Sequence, residues 1–321
     1  MGAASRSAST RSALLALAFV VGVACGSDGP TATPAQTASA SASPTVEPSP
    51  SAAPTTTPFS EQLDHAKVMD HVRALAVEIG LRNGGSDGER RASDYIAGRI
   101  RVLGWEAEQR PFPLPQGGES TNVVGIPPGF SEDEPYVIVG GHYDSLNGPG
   151  ANDNATGIAA ALEIVRAVDA RPGRTPVLFV AFGAEERQPT GNRDDHHIGS
   201  RYYVSKMSAS ARKNLVAMVN IDMIGRGSPI QCPRMSVGPR EGADRCLRLA
   251  KELGYAAEPR VYPDWSDHGS FLRRGMNASW VFTGNVPCCY HNPHDTIDEI
   301  YEDDLRKAST LSLAIVRSYS S

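Results

Sequence analysis

The 321-residue sequence has no apolar run long enough to span a bilayer comfortably, no basic run, no Cys-x-x-Cys pair and no internal repeat. Its most apolar stretch, Ala13 to Val23, falls short of the roughly 20 residues that a membrane-spanning helix needs. With 31 Lys+Arg against 36 Asp+Glu, the formal charge is −5. No cluster of cations could neutralise a phosphate backbone, so nucleic acid is not an expected partner. The missing Cys-x-x-Cys pair argues against a thiolate zinc site.

What the first 58 residues do contain is compositional. Arg6 and Arg11 precede the apolar run, which ends in Gly22-Val23-Ala24-Cys25. A charged start, a short apolar stretch and a small-residue end make an export signal. The last four residues are similar to a bacterial lipobox, although Gly22 departs from the usual aliphatic residue, so cleavage is expected before Cys25, with Cys25 lipidated. Residues 26–58 are almost entirely Ser, Ala, Thr and Pro, too poor in apolar surface to fold, and serve as a tether. Residues 59–321 form the expected single catalytic domain, with a monomer as the default. Four cysteines follow Cys25. In an exported protein an even number permits disulfides, and Cys232–Cys246 with Cys288–Cys289 is one of three connectivities.

Within that domain apolar residues recur at helical spacing from His65 to Ile79 and from Ala92 to Leu103, where Gly104 stops the helix. The period then changes. Tyr136 to Gly140, Val177 to Phe182 and Leu215 to Ile221 are short, nearly continuous apolar runs, the pattern of strands buried on both faces. Helical patterns at Gly157 to Val168, Ser200 to Met207, Asp244 to Leu253 and Glu302 to Ser318, and a further strand at Ala278 to Phe282, complete an alternation. It predicts an α/β sandwich: a mostly parallel central sheet flanked by helices.

Each apolar run ends in residues that bind cations. His142-Tyr143-Asp144 follows the first, Glu185-Glu186 the second, and Asp222 closes the third, while Asp153 lies in a Gly-rich turn and His291 follows the late strand. In open α/β sheets ligands bind at the C-terminal strand edge, and imidazole with carboxylate suits zinc. Taken singly, each has an ordinary structural explanation. Together, acids and imidazoles at successive strand ends are hard to bury unless a cation compensates them.

His142-Tyr143-Asp144, Gly150 through Gly157, Ala184-Glu185-Glu186, Asn220-Ile221-Asp222-Met223, Ser266-Asp267-His268 and Tyr290-His291 through Asp295-Thr296 resemble, in order and spacing, the co-catalytic zinc aminopeptidases of peptidase family 28, a family with a three-layer sandwich fold. The resemblance implies two zinc ions per chain: one on His142 and Asp222, the other on Glu186 and His291, with Asp153 bridging. It also implies Glu185 as general base for a hydroxide held between the ions, Tyr290 as donor to the oxyanion, Asp144 as orienter of His142, and Asp267 as a support beside the site. Peptides with a free N-terminus are the implied substrates. Of the two histidines in the late loop, His291 fits the His-x-x-x-Asp-Thr pattern and His294 is left as an exposed residue. The sequence departs from the family at residues 187–198, a polar insertion carrying Asp194, Asp195, His196 and His197. It is a candidate specificity loop or extra weak metal site, or else a mobile surface loop. The alternative from the same fold is a single-zinc glutaminyl-peptide cyclotransferase, which shares a long segment after the Glu-Glu pair. Tyr290, where those cyclases carry Trp, favours the peptidase. A metal-free binding domain of the same fold is the third reading, and the intact ligand set argues against it.

Overall fold

In the computed structural model, which describes residues 58–284 and 289–321, the apolar runs become the centre of an eight-stranded sheet. The export segment, the tether through residue 57 and Cys288 lie outside the described residues. The strands are β1 (Glu106–Pro113), β2 (Glu119–Ile126), β3 (Tyr136–His142), β4 (Val177–Phe182), β5 (Leu215–Ile221), β6 (Ile230–Arg234), β7 (Ala257–Val261) and β8 (Ala278–Thr283). They are ordered β1-β2-β4-β3-β5-β8-β6-β7.

The central four, β4-β3-β5-β8, are parallel. Antiparallel joints between β2 and β4 and between β8 and β6 make the whole sheet mixed. The four strands outside the parallel centre were not legible as apolar runs, for a physical reason. The end strands β1 and β7 are largely exposed and carry Pro111, Pro113 and Pro259 among charged residues, as edge strands do to avoid further pairing.

Central strands feed two cores by simple alternation. Val137 and Val139, Val177, Phe179 and Ala181, and Ala217, Val219 and Ile221 point into one core, under the helices Thr156–Ala170 and Glu302–Ser320. Ile138, Leu178, Val180, Phe182 and Met218 point into the other, with Tyr203 and Val204 from the helix Ile198–Lys206 and Phe271 from His268–Leu272. That explains why the runs read as uninterrupted: both faces of each strand are dry. The second helix of the domain begins at Asp87, earlier than the apolar spacing indicates, because Ser86 caps it by accepting from the Glu89 N–H at 3.1 Å. A disulfide ties Cys232 on β6 to Cys246 on the helix Glu241–Glu252, one of the pairings left open. No helix among the described residues is long and apolar enough to cross a membrane.

β3 and β4 approach so closely at Gly140 that a Cβ there would lie 1.7 Å from the Val180 carbonyl oxygen. Gly98, inside the helix Asp87–Val102, faces open space. Gly140→Ala should therefore lower the thermal midpoint sharply, while Gly98→Ala should raise stability by about 0.5–1 kcal/mol through helix propensity. Thermal and urea unfolding of the two variants beside the parent check both signs.

Candidate metal centre

The three central strands stop at one edge, and each stop delivers a donor. His142 is the last residue of β3, Asp222 follows β5, and Glu185-Glu186 leave the turn after β4. The wide turn Ala151–Ala155 before the helix Thr156–Ala170 supplies Asp153, and the loop after β8 supplies His291. Backbone in the left-handed region recurs beside these donors, at Ala184 (φ 48°), Met223 (φ 53°) and His291 itself (φ 56°). Non-glycine residues adopt it reluctantly, and such turns gather at sites where side chains must be aimed.

Asp153 is the centre of the arrangement. Its Oδ1 lies 3.2 Å from His142 Nε2 and its Oδ2 3.3 Å from His291 Nε2. Asp222 Oδ1 stands 3.5 Å from His142 Nε2, and Glu186 Oε2 stands 2.8 Å from His291 Nε2. Two donor groups result, His142–Asp153–Asp222 and Asp153–Glu186–His291, sharing the one aspartate. A third grouping, His142–Glu185–Glu186, is also within cation reach, but Glu185 Oε2 is 3.9 Å from His142 while its Oε1 is taken by His197 at 2.7 Å. Asp153 Oδ2, Glu186 Oε1 and Asp222 Oδ1 are buried without a hydrogen-bond partner. Orphaned carboxylate oxygens beside imidazole nitrogens, with no cysteine in these groups among the described residues, fit zinc.

The donors are held by groups further out. Asp144 is fully buried and accepts from the N–H groups of Glu185 (3.0 Å) and Glu186 (3.1 Å), with its Oδ1 3.4 Å from His142 Nδ1. One carboxylate thus orients an imidazole and the acidic pair together. Asp295 accepts from the N–H groups of Asn152 (2.8 Å) and Asp153 (3.0 Å). Ser266 donates to Asp222 Oδ2 at 2.5 Å. Glu89 accepts from Ala184 N–H at 2.9 Å, just before the acidic pair. Arg82, fully buried, donates to the carbonyls of Leu75, Gly80, Tyr143, Pro149 and Gly150, and so fixes the turn that carries Asp153. Asp267 is fully buried near Glu185, and burial together with that neighbour pushes its carboxyl up to about 8. Glu89 and Arg82 were not singled out from sequence, whereas Ser266 and Asp295 stood in the recognised motifs without individual roles. Ser86-x-x-Glu89 carried a local helix-start signal, but nothing local indicates that Glu89 reaches the turn after β4.

Tyr290 is half-exposed, its ring stacked on His291 at 3.5 Å between centroids. Burial of its hydroxyl and the nearby Asp153 and Glu186 push its pKa well up, so it keeps a proton to donate. His294 is exposed and His268 is buried against Trp280, its pKa lowered by burial to about 3. The insertion is mostly exposed, with Gln188 and His197 buried. Among the described residues none of its side chains belongs to a group able to hold a cation, so the idea of an extra metal site there finds no donor set. Trp265 is exposed and stacked on Tyr262, and Arg187 is exposed.

Comparison with known proteins agrees with this geometry. The model of peptidase family M28 matches residues 122–316. The chain is 32% identical over 285 residues to leupeptin-inactivating enzyme 1 of Streptomyces exfoliatus, covering 80% of this chain and 63% of that protein. It is 29% identical over 209 residues to aminopeptidase YwaD of Bacillus subtilis, covering 61% and 44%. The chain thus spans roughly half the length of these curated relatives. Its fold is similar to that of a zinc aminopeptidase from Bacillus subtilis, with a TM-score of 0.72 at 18% identity, covering 80% of this chain and 95% of that one.

Without a cation, protons offset part of the negative charge. Burial lowers the pKa of His142, but Glu185 and Asp222 more than offset it and push it well up. Burial likewise opposes His291, which Asp153 and Glu186 nevertheless push up to about 10. Zinc needs the imidazole lone pairs, so these protons must leave when it binds. Burial and Asp153 also push Glu186 well up, so zinc uptake at pH 7 should release protons from this cluster, and affinity should weaken as pH falls. Calorimetric titration in buffers of different ionisation heat checks this; uptake without proton release would contradict it.

Proposed function

The chain belongs to peptidase family M28, and from that premise we propose that it is an exported di-zinc aminopeptidase acting on peptides with a free N-terminus. The observation that carries the reading is Asp153, whose two oxygens face different imidazoles at 3.2 and 3.3 Å. A carboxylate so placed would serve two cations at once, with His142 and Asp222 completing one site and Glu186 and His291 the other. Zinc, when bound there, supplies Lewis acidity and lowers the pKa of water into the neutral range.

The rest of the chemistry belongs to side chains. Glu185 is buried at the edge of the cluster, next to a ligand in sequence, with Oε2 turned towards His142. It accepts the proton of the attacking water and returns it to the leaving amine. Tyr290, kept protonated by its surroundings, donates a hydrogen bond to the carbonyl oxygen as negative charge develops there. Asp144 holds His142 and the acidic pair in register, so that the base and both sites keep one geometry.

The same reading extends to location. Arg6, Arg11, the apolar run and Cys25 support a lipid anchor, with residues 26–58 as tether. Replacing Cys25 with Ala should move the protein from the membrane fraction to the medium; unchanged fractionation would remove the anchor.

Glu185→Gln should keep its zinc while turnover falls by roughly 100-fold or more, the scale of lost general base catalysis. Asp153→Ala should lose zinc together with activity. Metal analysis and hydrolysis of aminoacyl-4-nitroanilides, with a glutaminyl peptide offered in parallel, check both. About one zinc per chain with pyroglutamate as product would replace the peptidase by the cyclotransferase.

A further inference from the structure

Residues 187–198 leave the site at Glu186 and return beside Glu185, and the residue on which they return is not a surface residue. His197 is 3% exposed. Its backbone N–H donates to the Glu185 carbonyl at 2.6 Å, and the following N–H, of Ile198, donates to the Ala184 carbonyl at 3.0 Å. The left-handed turn at His197 (φ 54°) then starts the helix Ile198–Lys206. Backbone geometry alone therefore sets the imidazole beside Glu185.

The ring is held at one edge and faces a carboxylate, beyond hydrogen-bond distance, at the other. Nε2 lies 2.7 Å from Glu185 Oε1, and Nδ1 faces Asp264 Oδ1 at 3.6 Å. Asp264 is in turn braced on its other oxygen, by Arg273 Nε at 2.7 Å and Arg201 Nη2 at 3.7 Å. Its seat exists because residue 269 is glycine: a Cβ there would lie 1.8 Å from Asp264 Oδ1. His196 covers the ring edge-on at 4.1 Å. None of this makes His197 a ligand, since among the described residues no cation group includes it.

We propose that His197 is the positioning residue for the general base: it pins Glu185 Oε1 and thereby turns Oε2 towards the reacting water. A glutamate has three rotatable side-chain bonds, and a base must be held within about half an ångström of its productive position to act well. The chain from Arg273 through Asp264 and His197 to Glu185 removes that freedom. The polar insertion then has a function beyond its exposed surface, since it brings an imidazole to the carboxylate. The inference rests on Glu185 being the base.

The test uses the full chain loaded with zinc. His197→Leu keeps bulk and loses the donor; His197→Gln restores an N–H at nearly the same reach; Gly269→Ala displaces Asp264 without touching either partner. We expect kcat of His197→Leu to fall roughly 10- to 100-fold, the range for residues that orient others, with KM, zinc content and thermal midpoint little changed. His197→Gln should recover most of kcat, and Gly269→Ala should fall in the same direction as His197→Leu. In zinc-loaded protein labelled with 15N-histidine, a downfield imidazole proton assigned to His197 by its loss in His197→Gln should shift in Glu185→Gln. If His197→Leu turns over at the parental rate while Glu185→Gln is inactive, the base stands and the inference falls. If His197→Leu and His197→Gln lose zinc and activity equally, His197 is only structural and the inference is likewise overturned. If Glu185→Gln retains turnover, the base assignment fails first and takes the inference with it.

Discussion

Carboxylates crowded into a water-excluded edge are the constraint on which this structure depends. Asp144, Asp153, Glu185, Glu186, Asp222 and Asp267 are all buried around one point, and an uncompensated buried charge is among the most unfavourable features a fold can contain. Imidazoles, backbone N–H groups and Arg82 balance part of that charge. The remainder, expressed as orphaned oxygens and proton-retaining histidines, is what divalent cations offset. The chemistry proposed for the protein and the condition for burying its acids are thus the same requirement.

The sheet makes the crowding possible. Parallel strands bring their C-terminal ends to one edge, so residues separated by long stretches of chain meet there without long loops. His142, the last residue of β3, and His291, in the loop after β8, both reach Asp153. The outer contacts are mostly between carboxylate and backbone: Asp144 to the Glu185-Glu186 turn, Asp295 to the Asp153 turn, Glu89 to Ala184. Such bonds hold main chain, and through it the donor side chains. Left-handed turns at Ala184, Met223 and His291 show that aiming these donors takes precedence over local backbone preference.

Residues 187–198 follow directly on the acidic pair. The loop is closed upon itself by Asp195, which accepts from Thr190 and Asn192, and its exposed stretch has no partner role in the cluster. Gln188 at its start and His197 in its last turn are its buried side chains. The brace behind His197 draws on Asp264 and Arg273, from the segment around the helix His268–Leu272, so a feature of one loop is completed by residues distant in sequence.

The sequence by itself determined the central strands, the alternation of helix and strand, and the donors at the strand ends. These are local properties: a dry strand must be apolar throughout, and where it stops a polar residue is conspicuous. Motif order then assigned His142, Asp153, Glu186, Asp222 and His291 to one place, and the structure brings them together. Tertiary structure alone decided the rest. The edge strands β1 and β7 are polar and proline-bearing, so no periodicity reveals them. Glu89 and Arg82 are ordinary residues whose roles consist entirely of contacts made across the fold. His197 read as one charge-prone residue in a polar run, because nothing local distinguishes an imidazole in solvent from one pressed against a buried carboxylate. Donor identity is written in single residues, whereas donor orientation is a property of pairs, and pairs far apart in sequence exist only once the chain has folded.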